Sequence, residues 1–129
     1  MYIIYNFLVL CVCCLFVLPY FLYRCICEAG FTTRMRQSLG GLRDEEIASV
    51  AQKDCIWIHG ASVGEIVATS PLVKEIRKAY PDSPILVSAV TVGGYNMAKQ
   101  IIQEADAIIY FPLDMPFVSE SFVKRIQPR

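Results

Sequence analysis

Hydrophobic and polar residues follow two regimes along this chain. From Tyr2 to Tyr23 the run YIIYNFLVLCVCCLFVLPYFLY is apolar on every side, interrupted only by Asn6 and Pro19, and no Lys, Arg, Asp or Glu occurs before Arg24. Wound as an α-helix it is roughly 33 Å long, enough for the hydrocarbon core of a bilayer. Beyond Arg24 the pattern turns periodic. Three short runs of β-branched and aromatic residues, Cys55–His59 (CIWIH), Ile85–Ala89 (ILVSA) and Ala107–Phe111 (AIIYF), predict buried parallel strands.

Helical spacing fills the gaps. Gly64–Tyr80 sets Ile66, Val73, Ile76 and Tyr80 on one face and Lys74, Glu75, Arg77 and Lys78 on the other, with Pro71 expected to kink or restart the helix. Tyr95–Glu104 turns Met97, Ala98 and Ile101 inward, and Pro116–Ile126 does so with Val118, Phe122 and Ile126. The resulting β-α-β-α-β-α order predicts an α/β fold, a Rossmann-like parallel sheet with flanking helices behind an N-terminal transmembrane helix. Three strands fall short of the roughly five or more of a doubly wound sheet, so the domain is expected to be incomplete. The chain divides into an anchor (1–23), a basic juxtamembrane linker with a short helix in DEEIASVAQK (24–53), and a partial Rossmann-like domain (54–129).

Charge orients the span. Arg24, Arg34, Arg36 and Arg43 follow it with only Glu28 against them before Asp44, which by the positive-inside rule places the C-terminal side in the cytoplasm. These arginines read either as the topology signal alone or as contacts for anionic headgroups. A secretory signal peptide would need a basic n-region, a shorter apolar stretch and a small-residue cleavage site, and a lipoprotein signal at Cys11 would need a basic n-region and a small preceding residue. The 55% apolar content and mean hydropathy of +0.45 are high for a soluble domain, with the excess in the anchor. Zero net charge excludes the basic field that nucleic-acid binding uses. Five of the six cysteines lie in or beside the span, with Cys55 beyond it and no CxxC pair, so they read as small hydrophobes in a reduced compartment rather than as disulfides or a zinc site.

Ligands of open α/β sheets bind beyond the carboxyl ends of the strands. The three loops there hold His59-Gly60-Ala61-Ser62-Val63-Gly64-Glu65, Thr91-Val92-Gly93-Gly94 and Pro112-Leu113-Asp114-Met115-Pro116. Ser62 and Glu65 fit an S-x-x-E capping box, with Ser62 capping and Glu65 bonding back to the backbone. A carboxylate at a helix start is also stabilised as the anion and available as a base, and the two readings are compatible. His59 reads as a hydrogen-bonded core histidine or a catalytic one, Asp114 as a helix cap or a ligand contact, and the glycines as turn residues. Neither G-x-G-x-x-G nor G-x-x-x-x-G-K-[ST] is present, and Glu65 would repel a phosphate at that helix start, which argues against a nucleotide cradle. Without further information the residues describe a ligand-binding α/β half-domain on a membrane.

Trp57-Ile58-His59-Gly60-Ala61-Ser62-Val63-Gly64-Glu65, Pro71-Leu72-Val73, Tyr80-Pro81, Thr91-Val92-Gly93-Gly94 and Tyr110-Phe111-Pro112-Leu113-Asp114-Met115-Pro116 together resemble the N-terminal domain of 3-deoxy-D-manno-octulosonic acid (Kdo) transferases, in order and in spacing. The resemblance covers essentially the whole chain, including the single anchor and basic juxtamembrane stretch. It implies the N-terminal half of a two-domain GT-B glycosyltransferase that moves Kdo from CMP-Kdo to a lipid A precursor (lipid IVA) at the cytoplasmic face of the inner membrane, with no metal and no cofactor. It implies that Glu65 is the general base for the acceptor hydroxyl, and that Ser62, Gly64, His59, Thr91, Gly94 and Asp114 contact the acceptor. Gly60 stands at a position that is usually small in the family, and Thr91-Val92-Gly93-Gly94 replaces a usual Thr-Pro-Thr-Gly, with Thr91 and Gly94 keeping their places. The family's Glu-Thr-Glu-Leu-Trp block and donor-binding domain do not occur in these 129 residues, so the chain alone is expected to be inactive. The alternative is a non-catalytic membrane-anchored α/β interaction or nucleotide-binding module.

Overall fold

A computed structural model describes residues 2–27 and 30–128, with the side chain of Cys25 left aside. The chain divides into two compact units, residues 1–32 and 33–129.

The first unit is the apolar helix. Helix α1 (Tyr2–Val12), a π-helical turn (Cys13–Val17) and α2 (Leu18–Cys27) run without a break, and the 23 residues Tyr2–Arg24 are long and apolar enough to cross a membrane. The π turn has a local cause. Pro19 cannot donate to the carbonyl four residues back and its ring crowds that carbonyl; the turn just before it widens, with the Leu18 N–H bonding to the Cys13 carbonyl.

The second unit is a three-layer α/β sandwich. Strands β1 (Ile56–Gly60), β2 (Ile85–Ala89) and β3 (Ala107–Tyr110) form a parallel sheet in the order β1-β2-β3, with Ile56 opposite Ile85 and Leu86 opposite Ala107. Each strand is followed by a helix: α5 (Val63–Ala79), α6 (Val92–Ile101) and α7 (Pro116–Ile126). Side chains alternate across a strand, so each strand feeds two cores. Ile66, Val73, Ile85, Val87, Ala98 and Ile102 pack under α5 and α6. Leu86, Ile109, Phe122 and Ile126 pack on the opposite face with Leu42, Ile47, Val50 and Cys55, which come from the segment before β1.

The strands stand within a residue of their predicted limits; Cys55 is buried but precedes β1, and Phe111 follows β3. Pro71 does not restart its helix: α5 runs unbroken for 17 residues with the proline exposed on it. Tyr80, expected in the core, is half exposed because α5 ends at Ala79 and turns the ring outward. DEEIASVAQK forms only the single-turn helix α4 (Asp44–Ile47) followed by turns.

The basic stretch before α4 is also structured. Helix α3 (Phe31–Ser38) stops where Gly40 takes φ +93°, and the Gly41 N–H turns back to the Arg36 carbonyl at 2.8 Å. The end of α3 is tied to the end of β3. Gln37 Oε1 accepts the Tyr110 N–H at 2.8 Å, the Ser38 hydroxyl donates to the Phe111 carbonyl at 2.9 Å, and the Leu113 N–H donates to the Ser38 carbonyl at 2.8 Å. Arg36, one of the four arginines read either as a topology signal or as headgroup contacts, pairs with Glu46 at 2.5 Å and donates to the Gly41 carbonyl. Burial works against ionisation of Glu46, but the Arg36 guanidinium, the Arg43 N–H and Gln37 outweigh it and bring its carboxyl down to about 2.

Candidate active site

The carboxyl ends of the strands carry two distinct groups of the predicted residues. The first gathers around the start of α5. Glu65, in the first helical turn, folds back so that Oε2 accepts the Ala61 N–H at 2.9 Å and Oε1 accepts the Ser62 hydroxyl at 3.3 Å. This is not the expected capping box. Ser62 is the N-cap residue, but its side chain makes no capping bond to the helix; its hydroxyl is spent as a donor to Glu65, and Glu65 reaches the N–H of Ala61, one residue earlier than expected. Glu65 remains exposed in the first turn of α5.

Thr91 joins the second loop to the first. Its N–H donates to the Ala61 carbonyl at 3.3 Å, and its Oγ1 accepts the Gly94 N–H at 3.0 Å as the N-cap of α6. Gly94 must stay small here, because a Cβ would stand 3.0 Å from Thr91 Oγ1 and 3.4 Å from the Ser62 carbonyl carbon. At Gly64 a Cβ would have nothing within 4 Å, so that glycine leaves open surface beside the carboxylate rather than relieving a clash. Ser62, Gly64, Glu65, Thr91 and Gly94 therefore belong to one patch, with a charged acceptor on it and oriented hydroxyls around it.

His59 and Asp114 belong to a different place. They line a cavity of about 640 Å³ with Trp57, Phe111, Pro112 and Val123 among its other walls. Asp114 does not cap α7, whose N-cap is Met115 and whose first residue is Pro116, a position where the missing N–H costs nothing. His59 is packed against Phe111, ring centroids 4.2 Å apart. Its Nδ1 lies 3.0 Å from the hydroxyl of Ser88, which also accepts the Trp57 indole N–H at 2.8 Å. Ser88 is fully buried in β2 and was not singled out from sequence. A hydroxyl in the middle of the run ILVSA was the one available sign that this strand carries more than packing.

These features define a Rossmann-like α/β unit behind an apolar helix, with an exposed carboxylate at the first strand-to-helix turn and a cavity at the carboxyl end of its first strand. The chain belongs to the Kdo transferase family: the family model described as 3-deoxy-D-manno-octulosonic-acid transferase (kdotransferase) matches residues 33–129. Similar proteins include the 3-deoxy-D-manno-octulosonic acid transferase of Haemophilus influenzae, 35% identical over 82 residues, which are 64% of this chain and 19% of the relative. The enzyme of the same name from Chlamydophila psittaci is 30% identical over 115 residues (86% and 25%), and that from Rickettsia felis 30% over 101 residues (78% and 22%). The chain thus spans a quarter or less of the length of these relatives, which are glycosyltransferases by name.

Proposed function

We propose that this chain forms the acceptor-handling part of a GT-B glycosyltransferase that moves Kdo from CMP-Kdo to a lipid A precursor, lipid IVA, at the cytoplasmic face of the inner membrane. The observation that carries the reading is the state of Glu65: exposed, with one oxygen bonded by the Ala61 N–H and the other by the Ser62 hydroxyl, and bordered by the open surface at Gly64. A carboxylate has about four lone-pair sites, so two bonds leave capacity for an incoming hydroxyl. In the proposed step Glu65 takes the proton of the acceptor hydroxyl as its oxygen bonds to the anomeric carbon of Kdo, and CMP leaves with the electron pair of the broken bond. Ser62, Gly64, Thr91 and Gly94 shape the acceptor surface beside it, and His59 and Asp114 extend it into the neighbouring cavity.

The apolar helix gives this reading a setting. An anchor confines the Glu65 loop near a lipid-borne acceptor and raises its effective concentration there. The donor site belongs to a partner domain outside this sequence, so the 129-residue chain by itself does not transfer sugar. The test joins the chain to the remaining length of a relative and measures Kdo transfer from CMP-Kdo with Glu65 and with Glu65→Gln. Loss of about 10²–10⁴-fold in kcat is expected for a general base. Undiminished transfer by a folded Glu65→Gln protein would sink the assignment.

A further inference from the structure

Ser88 is a polar side chain at 0% exposure in the central strand, and its hydrogen bonds can be accounted for completely. A serine hydroxyl has one proton to give and two lone pairs to offer, and an indole N–H only donates. Trp57 Nε1–H therefore occupies one lone pair of Ser88 Oγ, at 2.8 Å. The remaining partner among the described residues is His59 Nδ1, at 3.0 Å. If Nδ1 carried a proton and donated to Ser88, the buried hydroxyl proton would have no acceptor and no water to turn to. Pairing every group requires the hydroxyl to donate to a bare Nδ1, and a neutral ring with bare Nδ1 carries its proton on Nε2. The imidazole, though exposed, packs on Phe111 at a 41° tilt with centroids 4.2 Å apart.

We propose that Ser88 is a positioning residue that holds His59 as the neutral Nε2–H tautomer, so that His59 offers the cavity at the carboxyl end of β1 a hydrogen-bond donor for a ligand oxygen. His59 is then not a second base. Asp114 lines the same cavity, and a wall that carries both a donor and an acceptor suits a hydroxyl-bearing ligand better than an anion. Only the step that makes this ligand the acceptor substrate rests on the function proposed above; the tautomer stands on geometry alone.

His59 is the single histidine in the chain, so long-range ¹H–¹⁵N correlation on the labelled full chain in detergent micelles reads its tautomer directly. At about pH 8, where an ordinary imidazole is neutral, the wild type is expected to show a pyridine-like Nδ1 and a pyrrole-like Nε2 with no second population. Ser88→Ala is expected to give a mixture of both tautomers, and Ser88→Thr, which keeps the hydroxyl, to restore the single form. A dominant Nδ1–H form in the wild type overturns the proposal, and so does an unmixed Nε2–H form in folded Ser88→Ala protein. Should Ser88→Ala fail to fold, the wild-type spectrum still decides. The outcome is independent of any transfer assay, so failure here and failure of the Glu65 assignment are told apart.

Discussion

Gln37 Oε1 and the backbone N–H of Tyr110, 73 residues apart in sequence, meet at 2.8 Å inside the protein. A side-chain amide from α3 thus does for the end of β3 what a neighbouring strand would do. Gln37 is 1% exposed, so Gln37→Ala removes a buried acceptor from the Tyr110 N–H. The expected cost is about 1–3 kcal/mol of unfolding free energy. Denaturant unfolding of the detergent-solubilised chain measures it, and a loss indistinguishable from zero would show that the contact is incidental.

The Arg36–Glu46 pair makes stability depend on acid. The Glu46 carboxyl sits at about 2 when folded against an ordinary 4.5, so the folded state binds its proton less readily than the unfolded state does. Its contribution is therefore complete above about pH 4.5 and is lost as the pH falls toward 2, with a magnitude on the order of 3 kcal/mol or less. Glu46→Gln should lower stability near neutral pH and converge with the wild type by about pH 2. Parallel stability curves across that range would contradict the assignment.

Two glycines of the candidate site should respond in opposite ways to one methyl group. Gly94→Ala pushes on the capping oxygen of Thr91 and on the Ser62 backbone, and is expected to destabilise by about 1–3 kcal/mol. Gly64→Ala meets nothing, and in a helix it is expected to be neutral or stabilising by up to about 1 kcal/mol. If the surface at Gly64 receives the acceptor, the same change lowers Kdo transfer in the joined protein without lowering Tm. Thermal melts beside transfer rates separate the two effects.

The proposed orientation has its own check. In sealed vesicles with the cytoplasmic face inside, trypsin should leave the arginines and lysines after Arg24 intact, and cut them once the membrane is opened. Cleavage in intact vesicles would place the α/β unit on the other side.

Much of this architecture is legible in the chain because buried parallel strands announce themselves as β-branched runs; Ile85–Ala89 and Pro116–Ile126 stand at their predicted limits. Helix α3 is not legible in the same way. FTTRMRQS is polar on average, with only Phe31 and Met35 apolar, and the bonds that fix its end, from Gln37 and Ser38, reach partners 73 residues away. At the candidate site the residue types at Ser62 and Glu65 pointed to a cap, but not to which hydroxyl donates to which oxygen. That depends on where the backbone turns at Ala61 and Ser62. Loop membership alone could not separate Glu65 from His59 either: one leaves the strand end with α5, the other packs toward Phe111.

The tie between α3 and β3 also gives the sheet a direction of growth. On the β3 flank the carboxyl end is occupied by Gln37 and Ser38, while β1 has a strand on one side only among the described residues. The Ile56 N–H bonds to the Pro84 carbonyl, so by alternation the amides of Trp57 and His59 point away from β2. A further strand of a longer polypeptide would find unpaired amides beside β1, and its arrival would convert a border into a midline. The cavity at His59 would then lie where the winding of the sheet reverses, at the seam between the part of the fold written here and whatever is added to it.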